Sequence, residues 1–157
     1  MPMAELFNTV FEMKLHLLFV LAADIGSPMS IDKILAADFI AVYGKEFGIS
    51  SSNLHGDNPY KYSEITAKRE LLKSAVKEAV LDGLADFLPS VETGMMYRIN
   101  FKGISFCNAF HTSYAKEYQL LARSALEYLN PKTESEIVAF LNEKAITSIR
   151  EAVSQNE

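Results

Sequence analysis

The sequence has one cysteine, only seven glycines and no excess of positive charge, and each shortage argues against a class of function. Cys107 by itself forms no intramolecular disulfide and stands in no metal-binding spacing, so we expect a reducing compartment, the cytoplasm. The glycines form neither a Walker loop nor a G-x-G-x-x-G motif. A net charge of −5 is not that of a protein whose whole surface attracts nucleic acid.

A long apolar run is also lacking. The segment 15–23, LHLLFVLAA, is far shorter than the roughly 20 residues that a membrane-spanning helix needs. Glu5 and Glu12 precede it, whereas the start of a signal peptide is basic. We therefore expect a buried first helix and no membrane partner.

The length and composition are those of one folded domain, or of one domain with a helical extension. The chain has 157 residues, of which 49% are apolar and 22% charged, so it can bury a core without disulfides or metals. Periodicity and capping residues predict helices, a β-hairpin around the turn PSVETG and two further helices, of which the first is broken or bent near Gly103. The predicted elements are helices at 6–23, 31–43 and 63–83, strands at 85–88 and 95–100, and helices at 101–129 and 133–153.

This order of elements predicts a mainly α fold with a winged-helix-like core. The core is expected over residues 1–100, with the C-terminal helical extension, 101–157, packed on it. The predicted order differs from that of DNA-reading helix-turn-helix proteins in one connection. Between the second and third helices it takes about twenty residues, whereas those proteins use three or four. That insertion argues against a simple repressor.

Catalytic chemistry has no candidate in the sequence. His16, His55 and His111 are scattered, without a metal-binding spacing, and His16 is expected at the edge of the core. Cys107 and His111 have the i,i+4 spacing of a thiolate–imidazole pair, but the apolar run around Cys107 favours core packing. We predict no catalytic residue, no metal site and no cofactor, and hence no enzyme.

Basic residues follow the outer face of the predicted third helix. Arg69, Lys73 and Lys77 share one stripe, and Lys68 is assigned to the same side, where these side chains would contact DNA phosphates. The alternative is an ordinary solvated face, which two acidic neighbours support: Glu70 and Glu78.

The connection 44–62 is a predicted loop with features of an interface. Asn58 and Pro59 favour a turn, and Tyr60 and Tyr62 supply large amphipathic surfaces. We predict that these four residues bind a partner protein. The alternative is a loop that packs only on its own domain.

Four segments together resemble a known family: FNTVFEMKLHLLFVLAA, SIDKILAADFIAVYG, LHGDNPYKYSEITAKRELLKSAVKEAVLDGL and FHTSYAKEYQLLA. They are similar to the small middle component of bacterial ABC three-component systems, the Lamassu-type anti-phage and anti-plasmid defence operons. The resemblance covers residues 7–125 and is sharpest at NPY and KREL. The matching positions there are Asn58, Pro59, Tyr60, Lys68, Arg69 and Glu70.

The resemblance implies a non-enzymatic accessory subunit. Such a subunit bridges an SMC-like ABC ATPase and an effector, commonly a nuclease, and contacts DNA indirectly through the complex. The predicted last helix, 133–153, lies outside the matched segments. The alternative hypothesis is a winged-helix transcriptional regulator that reads DNA with residues 63–83.

Overall fold

The computed structural model describes residues 9–92 and 94–155, which form six α-helices and a small antiparallel sheet. The predicted mainly α fold, with a helix-and-hairpin core and C-terminal helices, is confirmed. The elements are α1 Val10–Ala22, β1 Met29–Ser30, α2 Ile31–Val42, a 3-10 helix Gly44–Phe47, α3 Glu64–Leu81, β2 Ala85–Ser90, β3 Gly94–Ile99, α4 Phe101–Asn108, α5 Ser113–Leu129 and α6 Glu134–Gln155.

Side-chain caps fix the starts of the helices. Oγ of Ser30 accepts a hydrogen bond from the backbone N–H of Lys33 at 3.1 Å, as predicted for α2. Before α6, the N–H of Glu136 donates to Oγ1 of Thr133, and the N–H of Thr133 donates to the Glu136 carboxylate, both at 3.2 Å. The predicted capping box is therefore confirmed. Residues 6–8 of the predicted first helix lie outside the described residues.

The predicted hairpin is confirmed, and it gains a third strand. Strands β2 and β3 pair from Ala85 opposite Ile99 to Ser90 opposite Gly94. On the other side of β3, Met29 pairs with Tyr97. Sequence analysis missed β1 because a strand of two residues has no alternation of polar and apolar side chains. This pairing ties the start of α2 to the hairpin.

The predicted helix 101–129 is divided, but the predicted position of the break is wrong. Gly103 lies inside α4, where a Cβ atom would overlap the carbonyl oxygen of Leu84. Glycine there allows close packing against the hairpin base. The chain instead breaks at 109–112, and Oγ1 of Thr112 caps α5 by accepting from the N–H of Ala115 at 3.1 Å.

Helices α1 and α2 lie at the centre of the core. Helix α1 packs on α3 and α5, and α2 packs on α5, α6 and α3. Buried apolar residues from the predicted core and from the predicted extension belong to one cluster, among them Leu18, Leu35, Tyr118, Leu129 and Ile137. The division at residue 100 stays a prediction. Across 9–92 and 94–155, no helix has both the length and the apolar character needed to cross a bilayer.

Candidate functional site

The most polar part of the core is centred on Asp38, which is 1% exposed. Its Oδ1 lies 2.8 Å from Nδ1 of His16 and accepts a hydrogen bond from the Tyr118 hydroxyl at 2.7 Å. Its Oδ2 accepts from Nζ of Lys68 at 3.3 Å. One carboxylate on α2 therefore joins three neighbouring helices, α1, α3 and α5.

The other nitrogen of His16 is also occupied. Nε2 lies 3.0 Å from Oε1 of Glu12 and 3.0 Å from the hydroxyl of Tyr114. The imidazole ring stacks on Tyr118 with 4.0 Å between the ring centroids. Because a carboxylate lies at each nitrogen, the protonated ring, which donates from both, fits this arrangement best.

The charges of this network support one another. Burial alone lowers the pKa of His16, but the carboxylates of Asp38 and Glu12 outweigh burial and raise it. Burial alone raises the pKa of Asp38, but Lys68 and His16 outweigh burial and hold it well below its usual range. Two carboxylates and two basic side chains therefore face one another, and this pairing makes their burial tolerable.

The network extends to the connection between α2 and α3 through His55. Its Nε2 lies 2.6 Å from the Tyr114 hydroxyl, and the two rings stack with centroids 5.7 Å apart. Burial, with the nearby positive charge of Lys68, lowers the pKa of His55 to about 4. A neutral His55 thus fastens the loop to the helices. We name Glu12, His16, Asp38, His55, Lys68, Tyr114 and Tyr118 the polar network.

The polar network is suited to holding helices in place. Both ring nitrogens of His16 face internal partners, so the ring has no nitrogen directed at a bound molecule. Cys107 is 4% exposed, and burial raises the pKa of its thiol to about 12. His111 lies beyond the end of α4 and is exposed, so the i,i+4 spacing forms no helical pair. Within the part of the chain that the structure describes, no cluster of three or more His, Cys, Asp or Glu side chains could hold a metal ion.

The predicted placement of Lys68 on the outer face of the third helix is wrong. Lys68 is 5% exposed because it lies three residues after Ile65 and four before Leu72, on the side of α3 that enters the core. Its spacing could have revealed this position, but its charge favoured an outer assignment.

The other basic residues of α3 lie outside the core. Nη1 of Arg69 is 2.6 Å from Oδ1 of Asp32, and Nζ of Lys73 is 3.2 Å from Oε1 of Glu70. Lys77 is exposed. Their contact with DNA stays a prediction.

Asn58 fixes the shape of the loop. Its Nδ2 donates to the carboxylate of Glu64 and, at 3.3 Å, to the hydroxyl of Tyr43. Its Oδ1 accepts from the backbone N–H of Tyr60 at 2.8 Å, which makes the local turn. Asn58 therefore anchors the loop to the end of α2 and the start of α3.

Of the other three predicted interface residues, one faces inward and two face outward. Tyr62 is half-buried against the core, with its ring centroid 6.0 Å from that of Phe39. Pro59 is exposed, and Tyr60 keeps 64% of its surface exposed. The loop thus packs on its own domain through Asn58 and Tyr62 while it presents Pro59 and Tyr60, the Pro59–Tyr60 surface.

Sequence analysis missed the central residue, Asp38. The signal was a single carboxylate within the otherwise apolar run ILAADFIAV of α2. Because an acidic side chain is almost never fully buried without a partner, such a residue predicts a nearby cation. The identity of the partners, His16 and Lys68, depends on helix packing.

The chain matches a known protein family. The family model of the ABC-three component (ABC-3C) system Middle Component 2 matches residues 6–151. The match includes most of α6, which the sequence resemblance over 7–125 left out. No curated protein and no solved structure shows significant similarity to the chain. Since the family model covers nearly the whole chain, the protein belongs to the family of ABC-3C middle component 2 proteins.

Proposed function

We propose that the chain is a non-catalytic accessory subunit of a Lamassu-type bacterial defence complex. In the cytoplasm it would bridge an SMC-like ABC ATPase and an effector nuclease. The observation that carries this proposal is the family match over residues 6–151, because a middle component acts in a system with two other kinds of component. Contact with DNA would come through the complex.

A non-catalytic role is supported by the way the polar network is used. The side chains best suited to acid–base chemistry, His16 and Asp38, lie at 2% and 1% exposure and bond to each other. General acid–base catalysis requires a group within hydrogen-bond reach of a substrate. Here the network stabilises the arrangement of four helices and a loop instead.

A binding role is supported by the Pro59–Tyr60 surface. The aromatic ring of Tyr60 is exposed, while Asn58 and Tyr62 hold the backbone on either side of it. A preorganised aromatic side chain loses little conformational entropy when a partner covers it. Tyrosine is also among the residues most enriched at interaction hot spots.

The alternative, a winged-helix regulator, is favoured by the element order of the core. It would need α3 to present its basic side chains to DNA. Two contacts count against it: Lys68 is bonded to Asp38 inside the core, and Arg69 is paired with Asp32. The complex subunit is therefore the better-supported function.

Pairwise binding tests this proposal. The purified chain is mixed separately with the ATPase component and with the effector component encoded beside it, and each mixture is analysed by size-exclusion chromatography. We expect co-elution in both mixtures. We also expect no nuclease, ATPase or protease activity from the chain alone. Failure to bind either component, or metal-dependent turnover that persists through rigorous purification, would contradict the proposal.

A further inference from the structure

A concave, partly apolar surface lies where the turn after α1, the base of the hairpin, α4 and α5 meet. It consists of two adjoining hollows of about 140 and 320 Å³ that share Ile25 and Ile104. Phe101 lines the larger hollow. We call this surface the Ile25–Phe101 groove.

The side chains that line this groove are unusually exposed for their size. Phe101 is 89% exposed and Ile25 is 61% exposed. Phe101 is the first residue of α4, and Asn100 caps that helix by accepting from the N–H of Gly103 at 2.9 Å. The helix start is thus fixed by its cap and by the buried Gly103, while the phenyl ring contributes little to the core. Adjacent exposed apolar side chains around a concavity are typical of an interaction site.

The charged side chains that line the groove are two arginines and one aspartate, a net positive charge on a chain that is acidic as a whole. Arg123 lines the smaller hollow, is exposed, and makes no ion pair within residues 9–92 and 94–155. Arg98 lines the larger hollow, where its pair with Asp86 is long, at 3.9 Å. An arginine beside an apolar hollow complements a carboxylate beside an apolar side chain.

We propose that the Ile25–Phe101 groove binds a segment of another protein component of the ABC-3C system, in which a bulky apolar side chain stands next to an acidic one. The apolar side chain enters the larger hollow between Ile25 and Phe101, and the carboxylate pairs with Arg123. This inference rests on the proposed function, since it needs a partner component. It assigns binding to a face made by the turn after α1, the hairpin, α4 and α5.

The size of the groove matches this kind of partner. A hollow of about 320 Å³ is at the lower end of the range of ligand pockets, roughly 300–1,000 Å³, and suits one or two large side chains. A nucleic-acid backbone would use the arginines and leave the apolar walls unoccupied. The combination of Phe101 with Arg123 therefore favours a protein.

The test compares groove variants with matched surface variants. Phe101→Ala and Arg123→Glu change the groove, whereas Leu120→Ala and Lys116→Glu change exposed side chains on α5 that do not line it. Dissociation constants for the ATPase and the effector components are measured by biolayer interferometry. We expect each groove variant to weaken binding of one component by about tenfold or more, and the controls to change it less than about twofold. Thermal unfolding of all four variants should match the wild type, since these side chains are exposed.

The outcomes separate this inference from the proposed function. If the wild type binds both components and the groove variants bind them equally well, the groove proposal is wrong and the proposed function stands. If the wild type binds neither component, both the groove proposal and the proposed function are wrong. If the isolated chain dimerises and Phe101→Ala dissolves the dimer, the occupant is a second copy, which overturns the proposal. Loss of duplex DNA binding in Arg123→Glu, without loss of protein binding, also overturns it.

Discussion

Nζ of Lys68 on α3 lies 3.3 Å from Oδ2 of Asp38 on α2, and both side chains are almost completely buried. The same carboxylate holds His16 at 2.8 Å on its other oxygen. Removing only one member of a buried ion pair strongly destabilises the fold, because the other charge is left without compensation. The geometry of the chain therefore depends on a few polar contacts within an apolar core.

Replacing Asp38 with asparagine should destabilise the fold severely. Asp38→Asn leaves Lys68 and His16 buried without their anion, so we expect the free energy of unfolding to fall by about 3–5 kcal/mol. The measurement is urea unfolding followed by circular dichroism. The matched control is Glu70→Gln, which removes the exposed carboxylate paired with Lys73 and should change stability by less than about 1 kcal/mol. Equal effects of the two variants would contradict a structural role for the polar network.

Stability should decrease at alkaline pH because of His16. Its pKa is raised in the folded state above the ordinary value of 6.5, so its stabilising contribution is full below about pH 6.5 and is lost as pH rises through the folded pKa. His55, whose pKa is lowered from the ordinary 6.5 to about 4 in the folded state, contributes a slope of the opposite sign near pH 6, where only the unfolded chain protonates it; both proteins share this rise, so the difference between them reports His16. Urea unfolding from about pH 6 to about pH 9 should show a decline that His16→Gln lacks. Parallel curves for the two proteins would show that His16 gains no proton affinity on folding.

The sequence predicts local features of this fold better than contacts between its elements. Ser30 and the Thr133–Glu136 capping box cap the helices for which they were predicted, because capping depends on residues that are neighbours in the sequence. The polar network joins Asp38 to Tyr118, eighty residues away, through packing that no local pattern specifies. The spacing of Lys68 indicated burial, but only a buried anion makes such a lysine acceptable.

The candidate interface was predicted in part. NPYKY contains turn-forming and aromatic residues, and this composition indicated a loop with large side chains. Which tyrosine faces inward depends on where the core lies: Tyr62 packs near Phe39, and Tyr60 does not. The Ile25–Phe101 groove gave no sequence signal, because its residues come from several elements that are distant in the sequence.

The two tyrosines of the loop should behave differently when truncated. Tyr60→Ala removes an exposed ring, so it should weaken binding to the ATPase or effector component and leave the thermal midpoint nearly unchanged. Tyr62→Ala removes a half-buried ring and should lower the thermal midpoint. Pull-down and thermal unfolding of both variants check this. Unaltered binding by Tyr60→Ala would exclude the Pro59–Tyr60 surface from the interface.

The isolated chain should bind DNA only weakly. With a net charge of −5, and with Arg69 and Lys73 paired to acidic side chains, we expect unspecific dissociation constants of roughly 10⁻⁴ to 10⁻⁶ M at physiological salt. The measurement is fluorescence anisotropy at two salt concentrations, with random duplex and with the DNA upstream of its own gene. Nanomolar, sequence-selective binding that Lys77→Ala or Arg69→Ala abolishes would favour the regulator instead.

The most direct test of the bridging function is a titration of the chain into its two partner components. The tagged ATPase component is immobilised, the effector component is held at constant concentration, and retained effector is measured as the chain is added. A bridge brings the two partners together at intermediate concentration, whereas excess bridge occupies each partner separately. The account therefore predicts little retained effector without the chain, a maximum near equimolar chain, and a decline at high excess. Retention of the effector that is independent of the chain at every concentration would contradict it.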